Sequence, residues 1–126
     1  MIRGLGSDLV AVERMRAAWM RHGGRLGQRI LTPAEREYGA DRPDFVAYLA
    51  SRFAAKEAGS KALGTGFRDG IRLQDLEVRR APHSAPRLLL HGAAAEAAAR
   101  LGVTRTHLSL SDDGAYALAT VILEGD

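Results

Sequence analysis

The hydrophobic pattern changes its period along this chain, and the change restricts the possible folds more than any other feature. Apolar residues spaced three or four positions apart predict helices at 12–22, 45–63 and 93–101. Alternating or continuous apolar runs predict strands at 1–10, 71–79, 87–90, 106–111 and 115–124. Because helices come mostly first and strands follow, the sequence predicts an α+β fold with helices packed on a mostly antiparallel sheet.

Short local signals predict where helices begin and end. Gly23 and Gly24 are expected to stop the first helix, and Gly64 to end the long one. Residues 32–35, Thr-Pro-Ala-Glu, combine a capping threonine, a proline and a glutamate three positions after the threonine. This pattern predicts the start of a further short helix, which ends at Gly39.

Composition indicates one globular domain spanning residues 1–126 and excludes several classes of protein. Hydrophobic residues make up 46% and charged residues 26%, as in ordinary globular domains. No apolar run approaches the roughly 20 residues that a membrane span needs, and we expect no signal peptide. The absence of cysteine excludes disulfides and thiolate chemistry, and it agrees with a cytoplasmic protein.

Positive charge is concentrated near the N-terminus. The net charge is +3, and residues 14–29 carry five arginines with no acidic residue among them: Arg14, Arg16, Arg21, Arg25 and Arg29. Such a run is either a solvated face or the binding surface of an anionic partner. That partner is nucleic acid, an acidic protein or a phosphorylated small molecule.

The end of the long predicted helix collects most of the candidate chemistry. Helical spacing places Glu57 and Lys61 on one face, with Arg52 and Lys56 on the next. A carboxylate among cations can hold a metal ion and a phosphate together. The same spacing also describes a surface Glu57–Lys61 ion pair worth about 0.3–0.5 kcal/mol. Residues 64–66, Gly-Thr-Gly, are by themselves only a helix stop, since the P-loop pattern is missing.

Two further residues are candidates on position alone. Asp8 is expected at the end of the first strand beside Gly4 and Gly6, either as a helix N-cap or as an oxygen ligand of a hard cation. His107 is expected on the polar face of a strand with Ser109, as a solvated histidine or a site residue. No serine–histidine–aspartate triad or zinc-type cluster can be assigned.

Four segments, taken in order, carry a resemblance to a known family. They are GLGSDLV at 4–10, ILTPAE at 30–35, RFAAKEAGSKALGTG at 52–66, and HLSLS at 107–111 with the Tyr-Ala pair at 116–117. Together they resemble the holo-acyl-carrier-protein synthases, the short class of 4′-phosphopantetheinyl transferases. The resemblance covers essentially the whole chain, and the segment 52–66 is its most specific part. It implies the α+β fold of that family.

The resemblance also implies a reaction. The phosphopantetheine arm of coenzyme A would move to a serine hydroxyl of an apo acyl carrier protein, with release of 3′,5′-ADP, in fatty acid or polyketide biosynthesis. Asp8 and Glu57 match the family's carboxylates for Mg²⁺, and Lys61 matches a lysine at the phosphate. Asp8, Glu57, Lys61 and His107 are therefore the expected catalytic residues.

Coenzyme A is expected to contact a wider set of residues, namely Arg52, Lys61, Gly64, Pro86, Arg87 and His107. The base that accepts the serine proton is a metal-bound water, Glu57, His107 or Asp112. Asp112 stands where relatives commonly have a second histidine, so no role is carried over to that position.

The resemblance gives the arginine-rich helix a partner, because acyl carrier proteins are small and acidic. Arg14, Arg21 and Arg25 are the expected docking residues. Relatives are homotrimers with active sites between subunits. We therefore expect Asp8 and Glu57 from one subunit, with Arg52 or His107 from its neighbour, and no nucleic-acid or membrane partner.

Two competing hypotheses remain at the level of sequence. A nucleic-acid-binding module would explain the pI of about 9.8 and the arginines, but aromatic residues are only 6% and no recognition motif is present. A catalytically silent relative that only docks carrier proteins is the other hypothesis. The presence of Asp8, Glu57 and Lys61 argues against it.

Overall fold

The computed structural model describes all residues from Met1 to Asp126. In chain order the elements are β1 (Ile2–Ala11), α1 (Val12–His22), α2 (Gly24–Ile30), α3 (Pro33–Gly39), α4 (Phe45–Leu63), a short 3₁₀ helix (Leu73–Asp75), β2 (Leu76–Arg79), β3 (Arg87–Leu90), α5 (Gly92–Arg100), β4 (Arg105–Asp112) and β5 (Tyr116–Glu124). The predicted α+β class is confirmed. None of the helices is long and apolar enough to cross a membrane.

The strands form two separate antiparallel sheets. One sheet has the order β1-β5-β4, and the other is the β2-β3 pair. In the larger sheet Asp8 lies opposite Ala119, which in turn lies opposite Leu110. Ala119 is fully buried, so this row lies on the face that packs against α4, called here the inner face. The opposite face is called the outer face.

Helix α4 lies across the inner face in unusually close contact with β1. An ideal Cβ built on Gly6 would lie 2.0 Å from the carbonyl oxygen of Ala58, and one built on Gly4 would lie 2.0 Å from that of Ala62. Only glycine therefore permits this approach, and the small side chains of α4 complete it. The residues of α4 at this contact, Ala54, Ala58 and Ala62, are buried in one core with Val121 and Leu123 of β5.

A second core lies between α1, α2 and the first half of α4. Val12 and Met15 of α1 pack with Ile30 of α2 and Leu49 of α4. Trp19 lies at the edge of this cluster, 5.1 Å from Phe45 between ring centroids. The predicted apolar stripe of α1 is thus the face that packs on the rest of the molecule.

Most predicted helix ends are confirmed, and the capping signals explain them. The oxygen Oγ1 of Thr32 accepts from the Glu35 backbone N–H at 3.2 Å, and Glu35 Oε1 accepts from the Thr32 N–H at 2.9 Å, which is a complete capping box. Asp44 caps α4, and Gly64 ends it with φ 79°, in the left-handed region that favours glycine.

Two predictions on local structure were wrong, and one helix was not predicted. Strand β1 does not end near Asp8 but continues to Ala11, so Asp8 lies inside a paired strand. The helix stop predicted at Gly23 and Gly24 is confirmed, but the sequence did not predict α2, which begins at Gly24; its buried Ile30 shows that packing outweighs low helix propensity. Only Leu76–Arg79 of the predicted strand 71–79 is extended, because a 3₁₀ turn precedes it.

Candidate active site

The close contact of β1 with α4 brings Asp8, Glu57 and Lys61 together. Asp8 lies on the inner face, and Glu57 and Lys61 lie on the last two turns of α4. The Lys61 ammonium donates to Asp8 Oδ1 at 3.0 Å and to the carbonyl oxygen of Ser7 at 3.0 Å. Lys61 therefore pairs with Asp8 across the two elements, and the Glu57–Lys61 surface pair that the spacing allowed does not form.

The carboxyl group of Glu57 has a perturbed environment. Burial raises its pKa, the negative charge of Asp8 raises it further, and the positive charge of Lys61 opposes both. The Asp8 and Glu57 carboxylates therefore repel each other, and the Lys61 ammonium is bonded to Asp8. A bound cation would relieve this repulsion.

The donor set at this place fits Mg²⁺. Magnesium prefers oxygen ligands and is usually held by one or two carboxylates, with water and substrate phosphates in the other positions. Asp8 and Glu57 supply two such carboxylates, and the chain contains no group of three or more histidine, aspartate or glutamate residues that could hold a metal. The protein would thus provide two ligands and leave room for phosphate.

A large cleft opens beside Glu57. Its volume is 1160 Å³. It lies between α2, the turns of α4 that carry Phe53 and Glu57, and the segment 67–74. Phe53 forms part of an apolar floor, whereas Arg25, Arg29 and Arg72 line its walls. Glu57 is the one carboxylate in the lining. The cleft therefore offers a cationic entrance to Glu57.

Except for Gly64, the other predicted site residues described here lie away from Asp8 and Glu57. Arg87 and His107 line a second pocket of 500 Å³ between β3, α5 and β4. His107 lies in a row with Ile122 and Leu5, on the outer face, and its Nε2 lies 2.9 Å from Glu124 Oε1. Pro86 directly precedes β3, and Gly64 follows Lys61 by three positions at the end of α4. Within the chain, His107 and Asp8 thus lie on opposite faces of the larger sheet.

The expectation that cations of the next helix face surround Glu57 was wrong. Arg52 is 6% exposed, and its guanidinium lies 4.4 Å from the ring centroid of Tyr48. Lys56 is completely buried and pairs with Glu35 at 2.8 Å. The face of α4 that carries Arg52 and Lys56 is buried, because other elements cover the helix on several sides. Residue spacing within one helix cannot reveal this burial.

Comparison with known proteins identifies the family. The 4′-phosphopantetheinyl transferase superfamily matches residues 4–121 of the chain. The holo-[acyl-carrier-protein] synthase of Halorhodospira halophila is 57% identical over 98% of both chains. The crystal structure of such a synthase from Neisseria meningitidis has a TM-score of 0.90 at 35% identity, covering 98% of this chain and 99% of that one.

The chain is a member of the holo-[acyl-carrier-protein] synthase family. A further synthase structure, from Bacillus anthracis in complex with CoA (3′,5′-ADP), has a TM-score of 0.83 at 32% identity and covers 100% of this chain and 99% of that one.

The arginine run of this synthase divides into paired and free side chains. Arg16 lies 3.2 Å from Asp44 and 3.3 Å from Glu13, so its charge is neutralised locally. Arg14, Arg21 and Arg25 are exposed and make no ion pair. The three arginines expected to dock a partner are therefore free, as is Arg29, which lines the cleft.

The sequence missed one group of residues around the synthase site. Arg72 of the cleft comes from a segment predicted as strand, and nothing in the sequence indicated that Lys56 is buried. No signal in the sequence connects Lys56 with Glu35, because the two residues are 21 positions apart.

The raised pKa of Glu57 predicts a pH-dependent stability difference. A carboxyl group whose folded pKa exceeds its unfolded value of 4.5 favours folding while protonated, and this advantage is lost as pH rises through the folded pKa. Glu57→Gln stays neutral at all pH values. We expect this variant to match the wild type at acidic pH and to be more stable at neutral pH, in urea unfolding with a chelator present. A stability difference that does not change with pH would contradict the prediction.

Proposed function

We propose that this chain transfers the 4′-phosphopantetheine group of coenzyme A to a serine of an apo acyl carrier protein, releasing 3′,5′-ADP, and that it requires Mg²⁺. Residues 1–126 would form the whole transferase domain, in the cytoplasm, and would serve fatty acid or polyketide synthesis. The observation that carries the proposal is the meeting of Asp8, Glu57 and Lys61 beside a cationic cleft, in a chain of this family.

The geometry supports catalysis by positioning and by neutralising charge. Bound Mg²⁺ would supply positive charge to the pyrophosphate, and Asp8 and Glu57 would hold it. The Lys61 ammonium has three donors, of which Ser7 and Asp8 take two. The third is free for a phosphate oxygen, and the bond to Asp8 fixes its direction. A donor oriented before the reaction stabilises the charge that develops on the leaving phosphate.

The direct test measures the mass of the carrier protein. The chain is incubated with coenzyme A, Mg²⁺ and several apo carrier proteins, and intact mass spectrometry follows the addition of the phosphopantetheine arm. We expect addition with Mg²⁺ and none with a chelator. Absence of the added mass across all carriers would overturn the function, and unchanged transfer with the chelator would overturn the metal requirement.

We further propose a homotrimer with active sites between subunits. The outer face of the larger sheet exposes large apolar side chains: Leu5 is 64% exposed and Leu9 is 61% exposed. Exposed apolar patches on a sheet face commonly mark an interface. His107 lies on this same face, so packing of copies there would place His107 in the contact between copies, where a site shared by two subunits would require it. Of the two residues expected from a neighbouring copy, His107 is the exposed one, whereas Arg52 is 6% exposed and lies against Tyr48 of its own chain.

The proposed trimer predicts the effect of a charge on the outer face. Leu9→Lys should convert the assembly to monomers of 13.6 kDa and abolish most transfer, because each ammonium would be buried without a partner. Light scattering after size exclusion measures the mass, and far-UV circular dichroism checks the fold. Leu101→Lys, which places the same charge on an exposed leucine beyond α5, is the control and should stay trimeric. A Leu9→Lys protein with the wild-type mass would contradict the interface.

Docking of an acidic carrier protein is proposed for Arg14, Arg21 and Arg25. We expect Arg25→Glu to raise the KM for the carrier by about tenfold or more, since charge reversal changes attraction into repulsion, while the KM for coenzyme A stays near its wild-type value. Arg100→Glu, an equal charge reversal at the end of α5, should change neither KM. Equal effects of the two reversals would show that only net charge matters and would remove the docking assignment.

A further inference from the structure

Lys56 is the residue next to Glu57 in α4, and the fold buries it completely. Its ammonium donates to Glu35 Oε1 at 2.8 Å, to the carbonyl oxygen of Leu76 at 2.6 Å and to that of Leu73 at 3.2 Å. All three donors of the ammonium are therefore used, and two of them reach across to the backbone of the segment that precedes and begins β2.

Glu35 is bonded as completely as Lys56. It is 1% exposed. Besides the lysine, its carboxylate accepts the backbone N–H of Thr32 at 2.9 Å and the backbone N–H of Val78 at 2.8 Å. The pair thus joins three parts of the chain: the start of α3, the middle of α4 and the segment from Leu73 to Val78.

The segment held by the pair is also a wall of the cleft beside Glu57. Leu73 and Gln74 line that cleft opposite Phe53 and Glu57 of α4. The Gln74 amide donates to the carbonyl oxygen of Leu31 at 3.1 Å and to that of Gln28, so it ties the same wall to the end of α2. Two sets of hydrogen bonds therefore set the distance between this wall and the other two walls.

Stability alone gives no reason for this arrangement. A buried ion pair is often no more stabilising than apolar residues of similar volume, because both charges lose their hydration. An apolar residue at position 56, however, could not bond the carbonyl groups of Leu73 and Leu76. Lys56 therefore fixes the distance and orientation of the cleft wall relative to α4, which an apolar residue could not do.

We propose that Lys56 and Glu35 are positioning residues, which hold the 73–78 segment so that the cleft keeps the shape that admits the carrier protein to Glu57. This role rests on the proposed transferase function. It acts through backbone placement, since neither side chain reaches the cleft. Its failure would appear as a cleft wall that moves, while the carboxylates and Lys61 remain in place.

The test replaces the pair by neutral residues of similar size. In Glu35→Gln/Lys56→Met the buried charges disappear together, so no single charge is left uncompensated. We expect a folded protein whose backbone amides at 73–78 exchange with deuterium about tenfold faster or more, with unchanged exchange in β4 and β5. The KM for the carrier protein should rise about tenfold at a nearly unchanged KM for coenzyme A, because the wall is misplaced.

Two further variants make the result decisive. Ser60→Ala is the control, because this buried hydroxyl donates only to the carbonyl oxygen of Glu57 within α4, and it should leave exchange at 73–78 unchanged. Gln74→Ala removes the second tether from a partly exposed position. It should speed exchange of the same segment even if the double variant does not fold.

Several outcomes would overturn the proposal. Wild-type exchange at 73–78 together with a wild-type KM for the carrier would do so. So would a lower kcat at unchanged KM with faster exchange throughout the chain, since that result describes general destabilisation. If the wild type itself transfers no phosphopantetheine, the proposed function fails, and the exchange measurement alone then judges whether the pair fixes the wall.

Discussion

Replacing Glu57 by glutamine is expected to lower kcat/KM for phosphopantetheine transfer by about 10²–10³-fold or more while the protein stays folded. Glutamine keeps the size of the side chain but removes the charge that would hold Mg²⁺ with Asp8. Asp8→Asn should have an effect of the same order. The double variant Asp8→Asn/Glu57→Gln should be little worse than either single variant, because each single change already prevents metal binding.

A second measurement separates the proposed metal role from other causes of inactivity. The wild type should gain thermal stability when Mg²⁺ and coenzyme A are added together, whereas Glu57→Gln should gain much less. Glu96→Gln makes the same chemical change on an exposed position of α5 and should leave both activity and this stabilisation unchanged. Normal turnover in Glu57→Gln or in Asp8→Asn would remove the magnesium assignment.

Gly6→Ala is expected to be the most destabilising single methyl addition in the chain. The new Cβ would lie 2.0 Å from the carbonyl oxygen of Ala58 and 2.7 Å from the backbone nitrogen of Ala62. Both are backbone atoms of α4, so no side chain can rotate aside, and the helix must shift away from β1. We expect a loss of about 3 kcal/mol or more in the free energy of unfolding.

Urea unfolding at neutral pH measures this loss, and Gly24→Ala is the matched control. A Cβ at Gly24 would meet nothing within 4 Å, so the control should be neutral or slightly stabilising. Because α4 carries Glu57 and Lys61 while β1 carries Asp8, any Gly6→Ala protein that folds should also transfer poorly. Equal stability of Gly6→Ala and wild type would show that the close approach is not required.

Local signals account for the predictions that the structure confirms. The helix ends at Gly23 and Gly64 follow from the need for a residue with positive φ after the last turn, which glycine meets locally. The alternation in β5 likewise matches its buried residues, Ala117, Ala119, Val121 and Leu123. At α2, burial of Ile30 outweighs the low helix propensity of its glycines.

The burial of charged residues could not be predicted in the same way. Lys56 has the charge and helical spacing of a surface residue, and only contact with Glu35 makes its burial tolerable. Arg52 lies against Tyr48 for a comparable reason, since the neighbouring ring covers its charge. The partner of Lys56 comes from a distant segment. Tyr48 lies one turn before Arg52 in α4, and the burial of Arg52 depends on what packs against that helix.

The sequence by itself determined the fold class, most helix ends and the family, because these depend on periodicity, caps and the residues of the segment 52–66. Only the tertiary structure decided that Lys61 pairs with Asp8, that Lys56 is buried and that His107 faces away from Asp8. The physical reason differs for each: β1 contacts α4 through Gly6, Lys56 meets Glu35 from a distant segment, and the pairing of β4 with β5 sets the face of His107. The sequence shows which residues are small enough for a close contact. Which charged residues the contact brings together depends on where two distant segments meet in the fold.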